Sequence, residues 1–258
     1  MALTLVGFAE DIDLAGTEQG ITALADDHLF ISGDNIRVPD LNQIVAVWGG
    51  LGSGGDGLMS LEAPSIRDSN RHVVSPLNHL ADSDCEPSDP IAWQDLSSSP
   101  LQLTTDELLT ITADSDTGSA AFQWCFIEFG DGAPQPVSSP NMFTAHATGS
   151  TTVTARAWSS VDLTFRDSLL FGDHAVVGLR AQSATLIAAR LIFRGRNATS
   201  YRPGVPGVDS GTSMLPDFFR RGNSGTWGVF NSTQPPLLEV LCGSADSSQV
   251  VELDLIPV

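Results

Sequence analysis

The sequence predicts an all-β chain of the sandwich or barrel class, and three observations predict it. Short apolar segments recur along the whole length, separated by clusters of Gly, Pro, Asn, Asp and Ser. Several of these segments alternate apolar and polar residues with the period of two that marks a half-buried strand, as in Val250-Val251-Glu252-Leu253-Asp254-Leu255 and Thr152-Val153-Thr154-Ala155-Arg156-Ala157-Trp158. The composition is that of turns: 24 Gly and 15 Pro in 258 residues, with 23 of the 31 acids being Asp, a poor helix former and a good turn former.

Candidate strands in the first half are 28–31, 43–48, 58–62, 71–75, 101–104, 108–112 and 121–129. In the second half they are 151–157, 161–165, 174–180, 184–193, 226–230, 236–242 and 249–256. Helical signals are few. Ser183 to Arg194 has the Ala and Leu content of an amphipathic helix, but Ile187, Ile192 and Phe193 favour a strand, and a short helix is expected near Asp217–Arg221. Three long connections stand out. Gly49 to Gly57 reads as a flexible hairpin tip and lacks the Lys and following helix of a phosphate loop. Residues 82–100 read as an exposed acidic connection, and residues 195–225 as an Arg-, Pro- and Gly-rich segment ordered by contact with something else. Leu29-Phe30-Ile31-Ser32-Gly33-Asp34 is echoed by Leu169-Leu170-Phe171-Gly172-Asp173, and the turn-rich run Asp131-Gly132-Ala133-Pro134-Gln135-Pro136 marks a break. The expected domains are an acidic N-terminal β-sandwich over 1–140 and a C-terminal β-sandwich over 141–258 carrying the 195–225 loop.

Hydrophobic residues make up 41% and charged residues 17%, which excludes a disordered chain. All 12 cationic side chains are Arg. A net charge of −19 argues against a nucleic-acid surface, where phosphates must meet cations, and against anionic lipid. Two sources account for it equally: solubility in high salt, where charges are screened within about 3 Å at 1 M, or a GC-rich genome that favours Arg. The charge is unevenly spread. Residues 1–150 hold 22 acids and 3 Arg, whereas residues 151–258 hold 9 acids and 9 Arg. The first residues lack the basic start of a signal peptide, and no apolar run approaches the ~20 residues of a membrane span, so a cytosolic product without a transmembrane segment is expected. Cys85, Cys125 and Cys242 form no CxxC pair; Cys125, between Trp124 and Phe126, is expected to be a buried free thiol.

Few residues stand in a pattern suited to chemistry. Gly222-Asn223-Ser224-Gly225 and Thr144-Ala145-His146-Ala147 could supply the Ser and His of a serine hydrolase, with Asp162, Asp167 or Asp173 as the orienting acid. Gly-Asn-Ser-Gly is first of all a turn, and the His-to-Ser interval is short for a chymotrypsin-like fold. Asp82, Asp84 and Glu86, or Asp114 and Asp116, could offer oxygen ligands to Ca²⁺, but no EF-hand pattern is present. The histidines His28, His72, His79, His146 and His174 show no paired metal-ligand spacing. The expectation is therefore a non-enzyme without metal or cofactor. The basic concentration around Arg190 is different in kind. Arg194, Arg196, Tyr201, Arg202, Phe218, Phe219, Arg220, Arg221 and Trp227 interleave Arg with aromatics, the composition of protein–protein hot spots, and are expected to form a subunit interface.

Asp173-His174-Ala175-Val176-Val177-Gly178-Leu179-Arg180, Ala184 to Phe193, and the loop Tyr201-Arg202-Pro203-Gly204-Val205-Pro206-Gly207 followed by a last pair of strands resemble the jelly-roll coat proteins of icosahedral viruses. The resemblance is one of pattern over roughly 90 residues, without a diagnostic motif. It implies a jelly-roll β-sandwich, as two tandem jelly rolls or as one with long loop insertions. It also implies a subunit that assembles with copies of itself, as trimers or pseudo-hexamers, into the shell of a virion, with minor capsid proteins as further partners. Coat proteins that contact a genome carry a basic arm. This chain has none, which is similar to shells built around an internal membrane, including those of halophilic hosts. A non-viral surface-layer, filament or binding β protein and a serine hydrolase using Ser224 and His146 are the alternatives.

Overall fold

Among the described residues, most of the apolar segments between turns are realised as strands. The computed structural model describes residues 2–13, 17–51, 57–66, 72–73, 78–79, 93–115, 121–132, 137, 139–209 and 225–258. Among them there is no α-helix, only strands, turns and one 3₁₀ turn at Gly195–Asn197, and none of it is long and apolar enough to cross a membrane as a helix. The chain divides into two compact units, one of residues 6–131 and one of residues 1–5 with 132–258.

The strands of the first unit follow in chain order: β1 (Leu3–Ile12), whose first three residues count with the second unit, β2 (Gln19–Ile21), β3 (Ile31–Ser32), β4 (Asn35–Arg37), β5 (Gln43–Leu51) and β6 (Gly57–Glu62). They continue with β7 (His72–Val73), β8 (Asn78–His79), β9 (Trp93–Asp95), β10 (Leu101–Gln102), β11 (Leu108–Ser115) and β12 (Ala121–Gly130). One sheet runs β1-β12-β5-β10, with β8 and β9 also on β5; the other runs β3-β4-β11-β6-β7, with β2 also on β11. β5 and β12 are the central pair, antiparallel, and their residues Trp48, Trp124 and Phe126 are fully buried, with Trp48 and Phe126 stacked at 5.6 Å.

Of the expected hairpin tip, Gly49, Gly50 and Leu51 end β5 and Gly57 begins β6, and these two strands lie in different sheets and do not pair as a hairpin; residues 52–56 lie outside the described residues. Gly50 lies in β5 where an added Cβ would meet the Trp124 indole at 2.8 Å, so the strand needs glycine to pass the ring.

The second unit contains β13 (Phe143–Gly149), β14 (Ser159–Asp162), β15 (Thr164–Phe165), β16 (Asp173–Ser183), β17 (Leu186–Ile192), β18 (Gly204–Pro206), β19 (Val208–Asp209), β20 (Gly228–Asn231), β21 (Leu237–Cys242) and β22 (Gln249–Pro257). Its sheets run β15-β13-β22-β16-β19, with β20 also on β16, and β14-β21-β17-β18. β17 is buried along almost its whole length, the strand outcome that Ile187 and Ile192 favour. Residues 151–157, whose alternation predicts a strand, form an extended loop instead. Arg156 has φ 58°, a left-handed conformation that ends any ladder there, and the strand begins at Ser159.

Two-sheet units of this kind are β-sandwich-like, with the apolar side chains of the long strands in the core. Cys125 and Cys242 are buried free thiols in these cores. Burial pushes both up, Cys125 far above the ordinary thiol range and Cys242 to about 11.

Candidate functional site

Two groups of charged residues are organised by the second unit. The first grows from two apolar strands that each carry one charge. Arg190 in β17 stands directly opposite Glu239 in β21, and its Nε donates to Glu239 Oε2 at 2.7 Å. Arg202 donates to the same carboxylate at 3.1 and 3.4 Å, and the Arg190 guanidinium lies 4.0 Å from the centre of the Trp158 ring. All three charged residues are buried. The cluster also holds the start of the chain: Arg190 Nη1 donates to the Leu5 carbonyl, Leu5 N–H to the Arg202 carbonyl, and Arg202 N–H to Thr4 Oγ1. Gly204 beside it has no room for a Cβ, which would approach the Ala189 carbonyl oxygen at 2.7 Å.

The second group lies on one face of β13, β22 and β16. Register brings Thr144 opposite Asp254 and His146 opposite Glu252, while Arg180 lies on the far side of Glu252. Thr144 Oγ1 donates to Asp254 Oδ1 at 2.6 Å, and Arg180 pairs with both Glu252 and Asp254. His146 Nδ1 lies 3.3 Å from Glu252 Oε1. The row passes from buried Asp254 to half-exposed His146, so it opens towards solvent at the imidazole. There it borders a cavity of about 260 Å³ lined by Phe143, Thr144, His146, Asp167, Ser168 and Leu170.

Of the predicted interface residues, Arg202 and Trp227 are inside the unit, Arg202 in the Glu239 cluster and Trp227 through its N–H to the Val176 carbonyl. Arg194 lies at the surface on the Pro235 carbonyl and Asp162, Arg196 is mostly exposed and pairs with Asp173, and Tyr201 is half-buried. Phe218, Phe219, Arg220 and Arg221 lie outside the described residues, as does the helix expected at Asp217–Arg221. Comparison with family models, with curated proteins and with solved structures found no match.

For the hydrolase residues the structure brings Asp167 to the cavity that His146 borders. Asp162 faces Arg194 instead, and Asp173 is held below the ordinary carboxylate range by hydrogen bonds from Asn231 and Arg196. Ser224 lies outside the described residues, and so do Asp82, Asp84, Glu86, Asp116 and Cys85. The acid beside His146 is Glu252, which sequence reasoning did not name. Among the described residues, Asp26, Asp27 and His28 have donor atoms within 4.8 Å of one another and could together hold a metal ion. Sequence reasoning also missed the Arg190–Glu239 pair. Its signal was available: each is the lone charge in an apolar run, and the charges are opposite.

Proposed function

We propose that this chain is a structural subunit that assembles with copies of itself, as a tandem jelly-roll coat protein of an icosahedral shell. The observation that carries the proposal is the architecture: two successive all-β units in one chain, each built of two sheets. Two sandwich-like units in one polypeptide would give it two blocks with which to tile a closed surface. The division of charge supports the same reading. All of the net −19 falls on residues 6–131, while residues 132–258 hold 9 acids and 9 Arg. A neutral unit meets its own copy without like-charge repulsion, and the acidic unit keeps the particle soluble.

The shell would be a virion surface, with minor capsid proteins as additional partners and without a nucleic-acid face on the coat subunit. Arg220 and Arg221, with Arg194 and Arg196, are proposed as contact residues between subunits. Negative-stain imaging of the purified chain at low and high salt tests the proposal. Closed particles of uniform size, or stable trimers and hexamers, are expected. Linear polymers would transfer the chain to the surface-layer or filament class, and monodisperse monomers at every salt and concentration would end the proposal. Arg220→Glu with Arg221→Glu is expected to impair assembly while leaving the subunit folded.

A further inference from the structure

We propose that the Leu170–Phe171 tip of the second unit is a two-fold contact between copies of this chain, with each Phe171 seated in the cavity beside the other copy's tip. This deepens the assembly reading and rests on it.

Large apolar side chains are rarely left in water together, whereas single ones are ordinary. Phe171 is 89% exposed and Leu170 70%, and Met142 and Val258 are exposed as well. These four lie at one end of one sheet. Phe143, at the start of β13, pairs with Leu255 near the end of β22, and His174, at the start of β16, pairs with Pro257. The loop from β15 runs to the same end, since Asp167 to Leu170 line a cavity with Phe143 to His146.

The tip is pinned at both feet. Arg166 N–H donates to the His146 carbonyl, Gly172 N–H donates to Ser232 Oγ at 3.2 Å, and Ser232 N–H returns to the Gly172 carbonyl at 2.9 Å. Gly172 has φ +136°, a conformation that L side chains rarely adopt, which turns the chain sharply after Phe171. A protruding aromatic held this way loses little freedom on docking, which is what a contact residue needs.

Size, placement and charge all fit a second copy of this chain as the occupant. The cavity of about 260 Å³ is smaller than the ~300–1,000 Å³ usual for drug-sized ligands, and an aromatic side chain is a compact insert for it. The knob and the hole are neighbours on one surface, so a two-fold axis satisfies both at once; a knob far from its hole would generate an open chain of subunits. Arg166 and Asp167 are both exposed at the foot of the tip, so the patch carries both signs and complements its own copy across that axis. The unit around it is net neutral.

Sedimentation equilibrium of the full chain tests the contact. Wild type is expected to form dimers, or larger species built on them. Phe171→Ser, which removes an exposed side chain and leaves the fold intact, is expected to weaken association by roughly 30-fold, the level of a hot-spot residue. Arg166→Asp is expected to weaken it too, and Arg166→Asp with Asp167→Arg to restore it. A photo-crosslinker in place of Phe171 should label residues 143–146 or 167–170 of another copy. Equal assembly of wild type and Phe171→Ser, or crosslinks confined to residues 6–131, would remove this contact and leave the assembly reading standing. A wild type that stays monomeric at all concentrations and salts would remove both.

Discussion

Replacing Glu239 by Gln isolates the contribution of the buried Arg190–Glu239–Arg202 cluster. The carboxylate takes one bond from Arg190 and a forked one from Arg202, at 2.7, 3.1 and 3.4 Å. Hydrogen bonds to charged groups contribute about 1.5–3 kcal/mol each, so the two arginines together place about 3–6 kcal/mol on this carboxylate. Gln keeps the shape and one accepting oxygen but loses the charge, which sets the expected loss at about 3 kcal/mol, the lower end for breaking a buried ion pair. Hydrogen exchange read by mass spectrometry is the suitable assay, because it reports each unit separately. The opening constant of β16, β17, β21 and β22 should rise by roughly 150-fold, while that of β5 and β12 stays unchanged. Residues 3–5, which Arg190 and Arg202 hold through backbone bonds, should lose protection with the second unit. Unchanged exchange in β17 and β21, or equal loss in both units, would refute the reasoning.

Other predictions follow from single environments. His174 is buried between Phe143 and Phe230, and neither ring nitrogen is hydrogen-bonded among the described residues, so His174→Phe should stabilise the second unit by about 1–2 kcal/mol in urea unfolding. Burial alone would raise the Asp246 carboxyl, but hydrogen bonds from Ser183 and from the N–H groups of Ser248, Ser247 and Ala184 outweigh it and hold it low. Its contribution is therefore full above the unfolded value near pH 4 and is lost as pH falls through the lower folded value, so Asp246→Asn should flatten that acid limb of the stability curve. Cys125 and Cys242 should resist iodoacetamide at neutral pH until the chain unfolds, as peptide mapping would report. Gly228→Ala would press a Cβ to 2.4 Å from the Phe193 ring and should cost about 1–3 kcal/mol, read from the thermal midpoint.

The fold class was legible because its strands are long and their inner faces apolar. β5, β6, β11, β12, β16, β17, β20, β21 and β22 all coincide with apolar segments marked by composition and turn signals alone. The misses have local causes. Leu3 to Phe8 of β1 are buried on both faces, so no alternation appears, and β13 buries only Ala and Gly on its inner face, which carries a weak apolar signal. At Thr152–Trp158 the alternation is real but the backbone turns at Arg156, a conformation that side-chain pattern does not encode. The echo of Leu-Phe and Gly-Asp occurs in unlike settings, a β3–β4 hairpin in the first case and the loop before β16 in the second. Sites were less legible than strands. The His146–Glu252 pair depends on register between β13 and β22, which spacing along the chain does not reveal.

The central claim, that this chain is built to meet copies of itself, is tested most directly by its mass in solution. Sedimentation velocity of the full chain from about 0.1 M to about 1 M salt, the range over which screening shortens from about 10 to 3 Å, is the measurement. Discrete multimers that grow with salt, as repulsion between the acidic units is screened, are predicted. A single 27.2 kDa species throughout would contradict the account.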